Sequence, residues 1–223
     1  MIYHDITDEQ LIAIITEAVQ KELKSKENQV PVGISVRHIH LTRSDVDWLF
    51  GRNYQLTPKK ALSQPGQFAC EECLDIIGPK GTLTKVRVLG PERNATQVEL
   101  SQTDCRTIGV NAPVRSSGDV EGTPGVILKG PRAKIEIRQG VIIADRHIHM
   151  TPADAERFGF ENGDRVSVRV DGEKPGVIGN VLIRVSDKAA LDMHLDTDDG
   201  NAFLLKQGQK LTVLGKENKG AIG

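Results

Sequence analysis

The tetrapeptide Arg-His-Ile-His occurs twice in this chain, at residues 37–40 and at residues 146–149. A threonine follows each copy at the same distance, as Thr42 and Thr151, and threonine is a favoured residue at the start of a helix. A short apolar segment of the kind that forms a strand precedes each copy. The sequence therefore predicts a duplicated unit of strand, His-x-His segment and capped helix.

The two histidines of each copy are separated by one residue. Because side chains alternate across a β-strand, both imidazoles of a copy are expected on the same face. Neighbouring imidazoles suit zinc, which prefers nitrogen and sulfur ligands. Histidines also occur as ordinary polar surface residues, but five of the six in this chain lie in the repeat or match it. That concentration favours a metal site.

A second internal match supplies a third ligand for each pair of histidines. Residues 98–104 resemble residues 193–199, which places Glu99 and His194 in equivalent positions. Both residue types bind zinc, and three protein ligands leave one position open for water or substrate. The alternative is a surface salt bridge for Glu99 and a buried hydrogen bond for His194. The two predicted ligand sets are His38, His40 and Glu99, and His147, His149 and His194.

Hydrophobic patterning with a period of two predicts a mainly β fold after residue 30. Val166, Val168 and Val170 alternate with polar residues and precede Asp171-Gly172, a hairpin sequence. The 22 glycines and the aromatic content of 4% agree with many short strands and tight turns. Short strands at close spacing are typical of small barrels or sandwiches.

The N-terminal segment differs from the rest of the chain. Residues 7–10 form a capping-box sequence, and apolar residues then recur at helical spacing between Leu11 and Val19. A polar run at residues 25–29 separates this predicted amphipathic helix from the body. The helix either caps the main domain or docks on another protein, and the periodicity alone favours neither.

Composition excludes several classes of protein. The 29 basic and 30 acidic residues give a net charge of −1, which argues against a nucleic-acid partner. No apolar run is long enough to span a membrane, and no secretory signal precedes the predicted helix. Three cysteines do not form a disulfide framework and suit a reducing cytosol.

Three cationic residues are candidates for anion binding. Arg93 lies in the loop just before the Glu99 segment, where a guanidinium can hold an oxyanion through two hydrogen bonds. An ordinary surface arginine is the alternative. Lys60 and Arg87 are candidates for contacts to the phosphates of a larger ligand. Trp48, the only tryptophan, is expected in the core.

Four segments carry a resemblance to a known family. The four segments are residues 30–42 (VPVGISVRHIHLT), 89–93 (LGPER), 112–119 (APVRSSGD) and 144–150 (ADRHIHM). They resemble the PduL-type phosphate acyltransferases, to which the paired Arg-His-Ile-His motifs and Leu-Gly-Pro-x-Arg are specific. The resemblance extends over about residues 30–214.

The resemblance implies a fold and its division into units. Two small β-barrels capped by short helices are expected to exchange strands and to share one active site. One barrel would comprise residues 28–36 and 145–214, and the other residues 37–144. Residues 1–27 would form a targeting helix with its linker, and residues 215–223 a tail.

The resemblance also implies a reaction. The family moves an acyl group, typically propanoyl and with acetyl as an alternative, between coenzyme A and inorganic phosphate to give an acyl phosphate. Two zinc ions per chain would be held by the six ligands given above, and phosphate by Arg93. The residues implied to contact coenzyme A are Gly33, Ile34, Ser35, Lys60, Arg87, Leu89 and Asn201.

Location and competing functions complete the sequence-based expectations. In this family, an N-terminal amphipathic helix directs members into bacterial microcompartments. The expected location of this chain is therefore the bacterial cytoplasm, inside such a compartment. Shell or core proteins of the compartment are the expected partners of residues 1–27. The sequence leaves the oligomeric state open.

A dizinc hydrolase is one alternative function, but the sequence shows few of the long helices that a (β/α)₈ barrel needs. A non-catalytic metal-binding module is the other, although a closed four-ligand site would suit it better.

Overall fold

The computed structural model of the chain describes residues 6–217, with the backbone alone at residues 20–27. The predicted mainly β fold is confirmed. The helices are α1 (Asp8–Glu27), α2 (Arg43–Phe50), α3 (Gln102–Ile108), α4 (Pro152–Phe158) and α5 (Thr197–Ala202). The strands are β1 (Gln29–Ser35), β2 (His38–His40), β3 (Pro58–Ala61), β4 (Phe68–Ile77), β5 (Thr82–Gly90), β6 (Gln97–Glu99), β7 (Val114–Arg115), β8 (Val126–Lys129), β9 (Lys134–Ile137), β10 (Val141–Ala144), β11 (His147–Met150), β12 (Arg165–Val170), β13 (Gly176–Val185), β14 (Asp192–Asp196) and β15 (Lys210–Lys216).

Six strands form a closed barrel. Their order is β1, β14, β11, β13, β12 and β15, and β15 pairs with β1 to close it. The predicted alternation in β12 is confirmed, since Val166, Val168 and Val170 are all buried. The strands β12 and β13 form the expected antiparallel hairpin, with residues 171–175 as its loop.

The second sheet is a curled half-barrel. Its order is β7, β10, β6, β2, β5, β4, β8 and β9, with β3 added beside β4. Within residues 6–217 its edge strands β7 and β9 do not pair with each other. The strand β7 is only two residues long, and both of these are exposed, so it offers little edge for closure. One half is therefore a complete barrel and the other is open.

Each half contains the strand that precedes the other half's His-x-His segment. The strand β1 leads into β2 but lies in the closed barrel, parallel to β14. The strand β10 leads into β11 but lies in the half-barrel, parallel to β6. The unit boundaries near residues 28, 37 and 145 stay a prediction. The strand β15 continues past the expected boundary at 214, and residues 218–223 lie outside the described residues.

Two hydrophobic cores fill the two halves. Ile39 and Ile148, the middle residues of the two His-x-His segments, are fully buried, one in each core. Val98 and Met193, which directly precede the predicted third ligands, are also fully buried. Apolar side chains therefore occupy one face of each ligand strand and leave the opposite face to the polar groups.

The predicted helix caps are confirmed. The side chain of Thr42 accepts a hydrogen bond from the backbone of Asp45, and Thr151 accepts one from Asp154. At the start of α1, the Thr7 backbone donates to Gln10 at 3.0 Å, and the Gln10 backbone donates to the Thr7 hydroxyl at 3.3 Å. These side chains satisfy backbone N–H groups that have no partner within the helix.

The expectation that Trp48 lies in the core is wrong. Its side chain is 67% exposed, because α2 buries Val46, Leu49 and Phe50 and turns Trp48 to the opposite side. On α1, the apolar residues up to Val19 are also exposed. Among the helices that the structure describes, none has the length and apolar character that crossing a membrane requires.

Candidate active site

The half-barrel brings together His38, His40 and Glu99. The strands β2 and β6 are antiparallel, and their register sets His38 directly opposite Glu99. One carboxylate oxygen of Glu99 lies 3.3 Å from His38 Nε2, and the other lies 3.9 Å from His40 Nε2. The three side chains meet because the two histidines share one face of β2 and Glu99 lies on the neighbouring strand.

The closed barrel repeats this arrangement with His147, His149 and His194. The strands β11 and β14 are antiparallel, and His147 lies directly opposite His194. The Nε2 atoms of His147 and His149 are 3.1 Å apart. The two segment matches found in the sequence therefore correspond to equivalent strand pairs in the fold.

The first histidine of each pair is held by its own backbone. His38 Nδ1 lies 2.9 Å from the carbonyl oxygen of Val36, and His147 Nδ1 lies 2.7 Å from that of Asp145. A carbonyl oxygen only accepts, so Nδ1 donates in both rings, and Nε2 is the nitrogen left to face a metal. This contact orients the ring and selects the nitrogen that can bind a metal.

Burial and the neighbouring charges set the protonation of these groups. Burial lowers the pKa of His40 and His149 to about 3 and that of His147 to about 4. Burial also acts on His38, but the adjacent carboxylate outweighs it and raises the pKa. Burial opposes ionisation of Glu99, yet His38 and His40 hold its pKa below the ordinary value. His40, His147 and His149 are therefore neutral at pH 7, which is the state in which imidazole binds a metal.

Both groups fit a divalent metal ion. Within each group the donor atoms lie within 4.8 Å of one another. Ligand atoms of a tetrahedral zinc site are roughly 3.4 Å apart. The closest donor pairs, at 3.3 Å in the half-barrel and 3.1 Å in the closed barrel, are near that spacing. The two groups are therefore candidate metal sites.

One cavity of about 590 Å³ connects the two groups. All six predicted ligands and Arg93 line it. Of the predicted coenzyme A contacts, six line the cavity: Gly33, Ile34, Ser35, Lys60, Arg87 and Leu89. Asn201 is not among the lining residues and lies exposed on α5, so its role stays a prediction.

Arg93 is tied to the half-barrel group through Ser117. Its Nη1 donates to Ser117 Oγ at 3.0 Å, and that hydroxyl donates to Glu99 at 2.9 Å. Burial lowers the pKa of Arg93, and Arg184 lowers it further. The sequence analysis did not assign Ser117, although it lies in the recognised segment at residues 112–119. The structure shows that this segment reaches the group formed by His38, His40 and Glu99.

Arg184 is a further cation of the cavity, and the sequence analysis missed it. It lies on β13 directly opposite His149, whereas on the equivalent strand β5 it is Arg87 that lies opposite His38. A strand-by-strand alignment of the two halves would not have indicated it, because the two arginines lie opposite different histidines of their pairs. The cavity thus holds arginines from both halves.

The loop between β3 and β4 links the half-barrel to the closed barrel. Gln64 donates to the carbonyl oxygen of Ala190 at 3.0 Å and accepts from its backbone N–H at 3.2 Å. Ser63 Oγ lies 3.4 Å from His194 Nε2. Asp192 also contacts this nitrogen, at 3.1 Å. Because the hydroxyl and the carboxylate share one ring nitrogen, the three residues do not form a Ser-His-Asp relay, which needs both nitrogens.

Comparison with known proteins identifies the family. A family model described as phosphate propanoyltransferase matches residues 31–206. The phosphate propanoyltransferase of Thermotoga maritima is 50% identical over 194 residues, which cover 86% of this chain and 92% of that protein. That of Escherichia fergusonii is 50% identical over 196 residues, covering 87% and 92%. That of Salmonella typhimurium is 47% identical over 196 residues, also covering 87% and 92%. The chain belongs to the phosphate propanoyltransferase family.

Proposed function

We propose that this protein transfers an acyl group, propanoyl first and acetyl as the alternative, between coenzyme A and inorganic phosphate. The observation that carries the proposal is the shared cavity, which both three-residue groups line together with four arginines, Arg37, Arg87, Arg93 and Arg184. Its volume of about 590 Å³ is in the range that binds sizeable organic ligands. The named activity of the relatives agrees with this chemistry.

Zinc is the metal that these donors favour. Imidazole nitrogen and one carboxylate oxygen are characteristic zinc ligands, and three protein ligands leave a coordination position open. His38, His40 and Glu99 would hold one ion, and His147, His149 and His194 the other. When bound, such ions bind oxygens of the substrates and offset their negative charge.

Arg93 is proposed to hold the reacting phosphate. Its guanidinium lines the cavity and is partly buried, so a bound anion would be poorly screened by water. Ser117, itself hydrogen-bonded to Glu99, accepts from the guanidinium on one side, which fixes its direction before substrate arrives. Arg184 is near enough to lower the pKa of Arg93, and a phosphate between the two guanidinium groups would relieve that repulsion.

Coenzyme A is proposed to lie along β1 and β3. Gly33 lines the cavity, and a Cβ at this position would crowd the side chains of Asp192 and His194, at 3.0 and 3.1 Å. Lys60 is exposed and free to meet a phosphate of the cofactor. Arg87 already donates to two backbone carbonyl oxygens, of Cys70 and Glu71, so its remaining donors would make that contact.

The reaction proposed is direct transfer. A phosphate oxygen attacks the thioester carbonyl carbon, the carbon–sulfur bond breaks, and acyl phosphate and coenzyme A thiol leave, with the phosphate's proton balancing the thiol. Positioning of the phosphate by Arg93 and the offset of its charge account for the acceleration. Ser63 is not proposed as a nucleophile, because no relay of the Ser-His-Asp kind surrounds it.

Measuring thiol release from propanoyl-CoA with and without phosphate tests the proposal. We expect release only with phosphate, together with formation of propanoyl phosphate. Release that is independent of phosphate would establish the hydrolase alternative. No release at all, in protein shown to contain metal, would favour the binding module. Replacing propanoyl-CoA with acetyl-CoA in the same assay measures the acyl preference.

We also propose that α1 binds a protein partner in a bacterial microcompartment. Leu11, Ile14 and Ile15 are each about half exposed in the structure, so they remain available to an apolar groove. A helix that capped the body would instead bury this stripe. Deleting residues 1–27 and following co-localisation with a labelled shell tests the proposal, and size-exclusion chromatography of the same two proteins measures the oligomeric state.

A further inference from the structure

Gln97 and Asp192 occupy equivalent positions in the two halves. Gln97 lies on β6 opposite His40, and Asp192 lies on β14 opposite His149. Each precedes the third member of its group by two residues, so its side chain lies on the same face of the strand. Both are buried, at 1% and 5% exposure. Neither residue belongs to the predicted ligand sets.

Each of these residues contacts the third member of its own group. Gln97 Nε2 donates to Glu99 at 2.5 Å, and the backbone N–H of Gly118 donates to Gln97 Oε1 at 2.7 Å, which fixes the orientation of the amide. Asp192 Oδ2 accepts from His194 Nε2 at 3.1 Å. The hydrogen bonding is therefore matched: an amide donor faces the carboxylate, and a carboxylate acceptor faces the imidazole.

The carboxylate also occupies different positions in the two halves. The half-barrel has an amide at 97 and a carboxylate at 99, and the closed barrel has a carboxylate at 192 and an imidazole at 194. Each half thus contributes one buried carboxylate from this pair of positions. Burying a carboxylate is costly unless it is paired, and a nearby divalent cation would offset that cost.

We propose that Asp192 is a positioning residue that holds His194 for metal binding, as Gln97 holds Glu99. The proposal rests on the proposed function, since it takes the two groups to be metal sites. By accepting a hydrogen bond from Nε2–H, Asp192 leaves Nδ1 of His194 as the nitrogen with a free lone pair. A carboxylate behind a histidine ligand fixes the ring and raises its basicity, and losing such a partner weakens metal binding about 10–100-fold.

The test measures zinc affinity in a protein with one remaining site. The double variant His38→Ala/His40→Ala keeps only the closed-barrel group, and chelator competition then reports one dissociation constant. Adding Asp192→Ala should weaken binding about 10–100-fold. Adding Asp192→Asn should weaken it less, because the amide oxygen still accepts a hydrogen bond. The matched control is Glu72→Gln, a buried carboxylate that hydrogen-bonds elsewhere and should leave the affinity unchanged.

Introducing the Asp192 and His194 pair at positions 97 and 99, referred to as the graft, tests the same positioning role in the half-barrel. In a protein that lacks the closed-barrel site, Glu99→His alone should weaken zinc binding, and Gln97→Asp added to it should restore most of the loss. The midpoint of thermal unfolding in excess chelator, measured for each variant, separates a loss of folding from a loss of affinity.

The outcomes separate this proposal from the proposed function. Asp192→Ala with zinc affinity within twofold of its parent, or a graft without recovery, would overturn the role of the pair. Absence of zinc from the unsubstituted protein would instead overturn the metal sites themselves, and the positioning role would fall with them.

Discussion

The closed barrel and the half-barrel each hold a three-residue group in the same strand arrangement, but the two groups differ in their side chains. Both place two histidines on one strand and a third group on an antiparallel neighbour, in the same register. The closed barrel uses three imidazoles with Asp192 behind one of them, and the half-barrel uses two imidazoles and Glu99. The pairing and register of the strands fix the position of the third side chain in each group. The residue type at that position, Glu99 or His194, determines the local charge.

The difference affects protonation directly. Glu99 raises the pKa of His38 against the effect of burial, whereas burial lowers the pKa of its counterpart His147 to about 4 and the neighbouring His194 lowers it further. The carboxylate of the half-barrel group therefore favours the protonated form of His38, and a metal ion would have to displace that proton. In the closed-barrel group, His147 and His149 are neutral imidazoles at pH 7.

The largest expected effect comes from removing one histidine in either half. His40→Ala and His149→Ala should each lower kcat by about a thousandfold or more, since several kcal/mol of charge stabilisation would be lost. Steady-state thiol release from propanoyl-CoA measures the loss. Lys129→Ala, which removes an exposed ion pair outside the cavity, should retain activity. If one histidine variant kept most of its activity, the two halves would not contribute equally.

The next largest effect is expected from substituting Arg93. Arg93→Lys keeps the charge but loses the planar fork, so the rate should fall about a hundredfold or more, with a raised KM for phosphate. Kinetics with phosphate and propanoyl-CoA varied separately measure this, and metal content should be unchanged. The control is Arg157→Lys on α4, an exposed arginine paired with Asp154. Full turnover with an unchanged phosphate KM would make Arg93 an ordinary surface residue.

A stability comparison shows whether the halves are independent. Ile39→Ala and Ile148→Ala each open a cavity in one core and should lower the free energy of unfolding by about 2–5 kcal/mol. Because β1 and β10 each lie in the other half's sheet, we expect both substitutions to shift one common transition. Denaturant unfolding followed by circular dichroism measures this. Two transitions, each moved by only one variant, would show that the halves unfold separately.

The smallest expected effect follows deletion of residues 1–27. Since the apolar stripe of α1 is exposed up to Val19, the deletion should change kcat little and alter stability by less than about 1 kcal/mol. Co-localisation with a microcompartment shell should be lost. A large fall in the unfolding midpoint would support the alternative in which the helix caps the body.

The sequence was sufficient to predict the features that repeat along the chain. The matched His-x-His segments and the second match at Glu99 and His194 predicted both groups, because a strand alternates its side chains regardless of its surroundings. The helix caps at Thr42 and Thr151 were predicted for a similar reason, since the signal lies within a few residues.

Features that depend on which strands become neighbours were missed. Arg184 enters the cavity only because β13 pairs with β11, and Asp192 matters only because of the face of β14 on which it lies. The open side of the half-barrel depends on the short edge strand β7, which the sequence does not mark. Trp48 was wrongly placed because hydrophobicity alone does not give the buried face of a short helix.

The most direct test of the account is the number of metal ions per chain. The account predicts that elemental analysis of protein purified without chelator gives about two zinc ions per chain, one from each three-residue group. His40→Ala and His149→Ala should each reduce this to about one, and the double variant to about zero. A value that stays near zero in the unsubstituted protein after zinc is supplied would contradict the account.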